Sequence, residues 1–456
     1  MIVYHMEDCI TEITHILDTM EFPEVVTVSE YSELIEIAAL LMDDLINENP
    51  HIYSKYSFAD DVFEHITELL EIQLEPLNDE NVHFYIDKAV TAGIQNYHSF
   101  ICPVRSFPHS FIRRRPNVIS MEKKIEYLEN VPQPEQGTSE WYTFRHKFLT
   151  ASSIWKVFGT DRLRDQLIYD KCAPLNLERY NHVNTESPMH WGHRYEPLSL
   201  MWYENHYKTK VSDYGCIPHK TLPYLAASPD GINTDKSSER YGRMVEVKNI
   251  VNRDITGIPK PEYWIQMQLQ MEVCMLNECD FLETRFIEYE NKEEFDDDGE
   301  FHCTKDGKLK GVMMFFIKDG KPLYIYAPLQ LTETEFEEWE AHTMDKHNDI
   351  SWIKNIYWRL DEVSCVLVLR NKLWFNHVKP QFEEIWNIIL HDKEHGYEHR
   401  AANKRKEKNK SAPIITTNKC YIDTQELMEN NTPNILIKSG IEENIIQITT
   451  ETYKDV

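Results

Sequence analysis

No stretch of about 18 consecutive apolar residues occurs in the 456-residue chain, so no membrane-spanning helix is expected. The opening Met1-Ile-Val-Tyr-His-Met-Glu-Asp lacks a basic segment followed by an apolar one, so no signal peptide is expected either. Nine cysteines include no Cys-x-x-Cys pair, which argues against zinc ribbons and a disulfide scaffold and implies reduced thiols inside a cell. There is no Gly-x-x-x-x-Gly-Lys-Ser/Thr loop, which speaks against a P-loop ATPase or helicase. His-Glu-x-x-His and Gly-x-Ser-x-Gly are also missing, and no internal repeat is present. Positive charge is scarce: 48 basic residues face 76 acidic ones, a formal net charge of −28. Such a surface does not bind polyanions over its whole area, so any nucleic-acid contact has to be concentrated in a local basic cleft.

What is present is globular. Hydrophobic residues make up 41% of the chain and aromatics 12%, and the length suits two to three domains. Residues 1–120 read as an acidic helical accessory domain. Ile10, Ile13, Leu17 and Met20 recur at helical spacing, as do Leu34, Ile37, Leu41 and Leu45, then Phe63, Ile66 and Leu70. The stretch Pro103 to Pro116, with Arg105 and Arg113-Arg114-Arg115, suits either a solvated linker or a phosphate contact. Residues 121–137 read as a linker ending in Pro132-Gln-Pro134-Glu-Gln-Gly137.

From 138 to 330 the pattern is α+β. Helices are expected over 139–148 and 151–158, strands over 224–227 and 244–247, and a helix near Pro261, where proline suits the first turn. Further strands are expected over 281–289, 311–317 and 323–326, with Asp319-Gly320 as a hairpin turn. The acidic run Glu290 to Glu300 reads as a solvated loop that lacks the spacing of a calcium loop. Residues 331–395 read as a helical extension, and 396–456 as a basic linker and polar tail.

Three short pieces carry chemistry: Trp191-Gly-His-Arg-Tyr-Glu196, Ser228-Pro-Asp230-Gly231 and Glu246-Val-Lys248. Strand side chains alternate, so Glu246 and Lys248 share a face about 7 Å apart with Val247 opposite. Glu246 and Asp230 can bind a magnesium ion, which takes few protein ligands, and Glu196 supplies a third acid for a second one. Lys248 can orient or deprotonate an attacking water. Each piece alone has an ordinary reading. Glu-x-Lys on a strand is commonly a surface ion pair worth well under about 1 kcal/mol, and Ser-Pro-Asp-Gly is commonly a turn. His190 and His193, three apart, lack the further ligand that a metal pair needs.

Taken in order, these pieces resemble the YqaJ/lambda-exonuclease-like branch of the PD-(D/E)xK nucleases of phages and large DNA viruses. The likeness spans residues 138–328. Its first piece is Gln136-Gly-Thr-Ser-Glu140-Trp141-Tyr-Thr-Phe-Arg145, which leads into that span and runs on to Leu149-Thr150-Ala151-Ser152; the three pieces follow, then a helix with Gln266, Gln268 and Gln270. The resemblance implies a restriction-endonuclease-like core, a central mixed sheet flanked by helices. It also implies magnesium, with manganese as a substitute, held by Glu196, Asp230, Glu246 and the carbonyl of Val247. Lys248 and Gln268 would position the water, and Arg145, Ser152, Ser153 and Ser228 would hold a DNA phosphate. Bidentate arginine suits a terminal phosphate. His146-Lys147 stand where the family often has glycine, adding charge and bulk there.

The function so implied is 5′-to-3′ digestion of double-stranded DNA ends in viral recombination, repair or genome processing. The resemblance further implies a single-strand-annealing recombinase as partner, a homotrimer, and an intracellular setting in host cytoplasm, viral factory or nucleus. The residues alone leave endonuclease and RNA nuclease open. A non-catalytic end-binding or packaging protein that keeps the fold is the competing reading, and indifference to EDTA would distinguish it.

Overall fold

The computed structural model describes residues 27–74, 80–177, 185 and 187–401. The periodic residues Ile10 to Met20 and all of the tail beyond residue 401 lie outside the described residues.

Helix α1 (Val28–Glu48) begins with a capping box: the Thr27 hydroxyl accepts from the Glu30 amide, and the Glu30 carboxylate accepts from Thr27. Its buried stripe is Tyr31, Ile35, Ala38, Met42 and Ile46, flanked by half-buried Leu34, Ile37, Leu41 and Leu45. Helices α2 (Phe58–Leu74) and α3 (Glu80–Asn96) complete an N-terminal layer. Gly93 lets α1 and α3 approach closely, since a Cβ there would lie 2.6 Å from the Ala38 Cβ. This layer shares one continuous apolar core with the sheet-bearing part. Tyr53 stacks on Trp264 at 5.7 Å, and Tyr56 donates to Glu262. Arg105 is absorbed in that contact, donating to the carbonyls of Tyr53 and Lys55.

Helix α4 (Val118–Asn130) corrects the expected linker: Asn117 caps it, and Ile125 and Leu128 bury into the core. After it come α5 (Ser139–His146), β1 (Leu149–Thr150), the single turn α6 (Ala151–Ile154), α7 (Asp161–Cys172) and α8 (Pro188–Tyr207). Short strands β2 (Val211–Ser212), β3 (Ile217–Pro218), β4 (Leu225–Ala227) and β5 (Gly231–Asn233) follow. Then come β6 (Met244–Asn249), α9 (Pro261–Cys274), β7 (Glu278–Glu288), α10 (Lys292–Asp297) and the hairpin β8 (Lys310–Lys318)–β9 (Lys321–Tyr326). Asp319 and Gly320 turn that hairpin, both at positive φ as a two-residue turn requires. Helix α11 (Glu333–Lys346), strand β10 (Ser351–Leu369) and helix α12 (Lys372–His395) complete the described chain.

The main sheet runs β2-β5-β6-β7-β10-β8-β9, with β6 and β7 parallel and the other neighbours antiparallel; a three-stranded sheet runs β1-β4-β3. The fold is therefore a mixed α+β core with a central mixed sheet between helices. Strand β10 is the chief departure from expectation, because it lies in the segment read as wholly helical and joins β7 to β8. Its alternation Ile356, Trp358, Leu360 is broken by a register shift between Leu360 and Glu362, which hides a period of two behind interleaved charges.

Candidate carboxylate site

Strand β6 is hemmed in on both faces. Val245 and Val247 pack against α8 with Tyr203 and Leu282, while Glu246 points to the other face, beneath α9, and is fully buried. Both Glu246 oxygens are engaged. Oε1 takes hydrogen bonds from the Lys248 ammonium and from Gln266 Nε2 at 2.6 Å, and Oε2 takes one from Gln270 Nε2 at 2.7 Å. Gln266 and Gln270 are one helical turn apart and so present side by side.

Gln268, expected in this role, points elsewhere. Its Nε2 donates to the Leu369 carbonyl at 2.8 Å, and its Oε1 accepts from the Asn371 amide at 2.6 Å. At about 100° per residue, Gln268 lies some 200° round the helix from Gln266. It ties α9 to the β10–α12 corner, and Gln266 and Gln270 are the residues that reach the carboxylate.

Asp230 sits where β4 turns into β5. The β5–β6 ladder ends with Gly231 opposite Val245, so the next outward amide on β6, that of Val247, lacks a strand partner. Asp230 Oδ2 supplies the missing acceptor at 2.8 Å. Gly231 has to be glycine, since a Cβ there would lie 2.2 Å from Val211 Cγ1. Glu196 comes from α8, directly before Pro197, whose ring removes an intrahelical hydrogen bond and loosens the helix at that point.

These carboxyls act on one another. Burial, together with the Glu246 and Glu196 charges, pushes Asp230 well above the usual carboxylate range. Glu196 is pushed up to about 7 by burial and by Glu246, with Asp213 adding to the effect against Lys248. Lys248 is held above its ordinary value by Glu246 and Asp230 despite its burial. The exposed Asp213 carries no motif of its own and was not foreseen. Nor was Tyr263, whose ring lies 5.1 Å from the Lys248 ammonium.

The residues fit a hard divalent cation. Three carboxyls share one ammonium, and oxygen donors are the ones magnesium takes. Gln270 Oε1, buried beside them, accepts no hydrogen bond.

A second cluster adjoins the first through Ser228. Its carbonyl accepts from Gln270 Nε2 at 3.2 Å, and its hydroxyl from Trp141 Nε1 at 3.2 Å. Arg145 lies over the Trp141 ring at 4.0 Å and donates to the Ser152 hydroxyl at 2.7 Å. Arg145, Ser152 and Ser228 are thus brought together. Ser153 turns away, bonding to Thr150 at 3.1 Å through its hydroxyl, so it is tied into the α6 turn. Lys171, also unforeseen, lies buried behind Arg145 and donates to its carbonyl at 3.0 Å. Burial and the Arg145 charge push the Lys171 amine down to about 7. His190 bonds to Tyr324 at 2.7 Å while His193 is exposed, so the two form no metal pair.

Residues 140–277 match the profile of the YqaJ-like viral recombinase domain. Over this span the chain is similar to that family. The matched span contains Arg145, Glu196, Asp230, Glu246, Lys248 and the α9 glutamines. An uncharacterized protein of Acanthamoeba polyphaga mimivirus is 29% identical over 350 residues, which is 68% of this chain and 62% of that protein. The chain thus spans less than two thirds of the length of that relative. Two crystal structures of an alkaline exonuclease from Laribacter hongkongensis, one in complex with dAMP, align with 57% of this chain and 97% of theirs. Each shows 18% identity and a TM-score of 0.34. Outside the matched span, the N-terminal helical layer and β10 add structure that the profile does not cover. No described helix is long and apolar enough to cross a membrane.

Proposed function

We propose that the chain is a magnesium-dependent deoxyribonuclease that digests duplex DNA from its ends, 5′ to 3′. The observation that supports this best is the excess of carboxyl over ammonium groups around Glu246, backed by two glutamine amides that fix its orientation. Asp230, Glu246 and the Val247 carbonyl would hold the cation, with Glu196 supporting a second ion or its waters. When bound, such a cation supplies Lewis-acid stabilisation of the developing phosphorane charge. Manganese would substitute.

The chain's own groups do the rest. Lys248 orients the attacking water and balances phosphate charge, kept in its cationic form by Glu246. Gln266 and Gln270 hold the Glu246 carboxylate in one rotamer, which preorganises the site. Arg145 and Ser152, on the far side of Ser228, take the terminal phosphate and set which bond reaches the carboxylates. The partner is a DNA end, with a single-strand-annealing recombinase and a homotrimer as further expectations of the family resemblance, in an intracellular viral setting.

The test uses purified protein with linear and closed circular duplexes plus magnesium. Linear DNA should be degraded and circular DNA left intact, 5′-phosphorylated ends should react faster than 5′-hydroxyl ends, and Lys248→Ala should be inactive. Full activity in Lys248→Ala would defeat the assignment. Retention of intact DNA ends equally in magnesium and in EDTA would instead establish an end-binding protein.

A further inference from the structure

The β7–β8 connection carries a second group of potential ligands, remote in sequence from the carboxylate site and different in chemistry. Glu300, His302 and Cys303 each direct one ligand atom so that all three lie within 4.8 Å of one another. His302 Nε2 and Glu300 Oε2 are 3.6 Å apart. Glu300 is exposed, the other two half-buried, and the Cys303 thiol is free.

The backbone that presents them is fixed. Gly299 stands at φ +87°, and a Cβ there would lie 2.6 Å from the Cys303 carbonyl, so the chain folds tightly back on itself. Cys303 bridges to Leu309, and the His302 carbonyl accepts from the Lys310 amide at 3.0 Å. The buried Lys310 ammonium donates to the Phe295 and Asp298 carbonyls and interacts electrostatically with Cys303.

We infer that Glu300, His302 and Cys303 form a site for a zinc-class divalent ion, with solvent as the fourth ligand. Thiolate and imidazole donors select zinc or cobalt over magnesium and calcium. The ion would bind on the connection that joins the two strands flanking β10, independent of the nuclease reading.

Cobalt(II) titration of the metal-stripped full chain tests this. A thiolate-to-cobalt charge-transfer band with tetrahedral visible bands should develop at one equivalent, and zinc should abolish it while millimolar magnesium should not. Cys303→Ser should remove the charge-transfer band. His302→Ala and the solvent-facing Glu300→Gln should each weaken zinc binding, the former by more than the roughly 10–100-fold that loss of an outer-shell partner costs. Absence of the band in the native chain, or its persistence in Cys303→Ser, would overturn the site. So would unchanged zinc affinity in both Glu300→Gln and His302→Ala.

Discussion

Two carboxylates lie one register position apart on adjacent strands and meet opposite fates. Asp280 stands opposite Val245 and faces α8, while Glu246 faces α9; both are wholly buried. Around Asp280 the charges balance. Arg240 and Arg243 both pair with it, Arg243 also pairs with Glu278, and the hydroxyls of Ser110 and Tyr203 donate at 2.5 Å each. Around Glu246 they do not, since Asp230 and Glu196 crowd the same lysine. Burying charge is costly unless it is paired and hydrogen-bonded. The balanced cluster is therefore structural, welding Ser110 and α8 to the sheet, whereas the unbalanced one is the cluster proposed to take an added cation.

The comparison breaks first if Asp280 is expendable. Asp280→Ala leaves two buried guanidinium groups without their shared partner and should cost about 3–5 kcal/mol in urea unfolding. Magnesium affinity per folded molecule should not change. Next in size is Gln270→Ala, which frees one Glu246 oxygen. Nuclease activity should fall about 10–100-fold, the usual loss when an outer-shell partner is removed, with smaller change in stability. Gln268→Ala should show the reverse balance.

A further effect is a pH dependence. Glu196, at about 7 in the folded chain against an ordinary 4.5, binds more protons folded than unfolded between those values. Its contribution in EDTA is therefore greatest below about 4.5 and is lost as pH rises through about 7. Asp230, shifted the same way, adds to that decline. Magnesium should flatten the slope, which unfolding midpoints from pH 5 to 8 with and without the ion would reveal.

Much of the candidate site's geometry was legible in sequence because short motifs fix local structure. Ser-Pro-Asp-Gly placed Asp230 on a turn, and Glu-x-Lys placed Glu246 and Lys248 on one strand face. The glutamine helix was legible as a helix but not in rotation, because Gln266, Gln268 and Gln270 look alike until the sheet shows which side it covers. The Asp280 cluster was illegible for a different reason. Its partners come from Ser110, Tyr203, Arg240 and Arg243, positions that only the tertiary fold assembles. Strand β10 escaped because one bulge was enough to erase its alternation.

The most direct test of the central claim is the isosteric Asp230→Asn, read as thermal stability with and without magnesium. Removing one negative charge from an overcharged cluster while keeping the Val247 amide acceptor should leave the EDTA form at least as stable as the native chain. It should also abolish the stabilisation by magnesium that is expected of the native chain. If Asp230→Asn is instead destabilised in EDTA as severely as Asp280→Ala, or magnesium stabilises it as well as the native chain, the carboxyls around Glu246 are not a cation site.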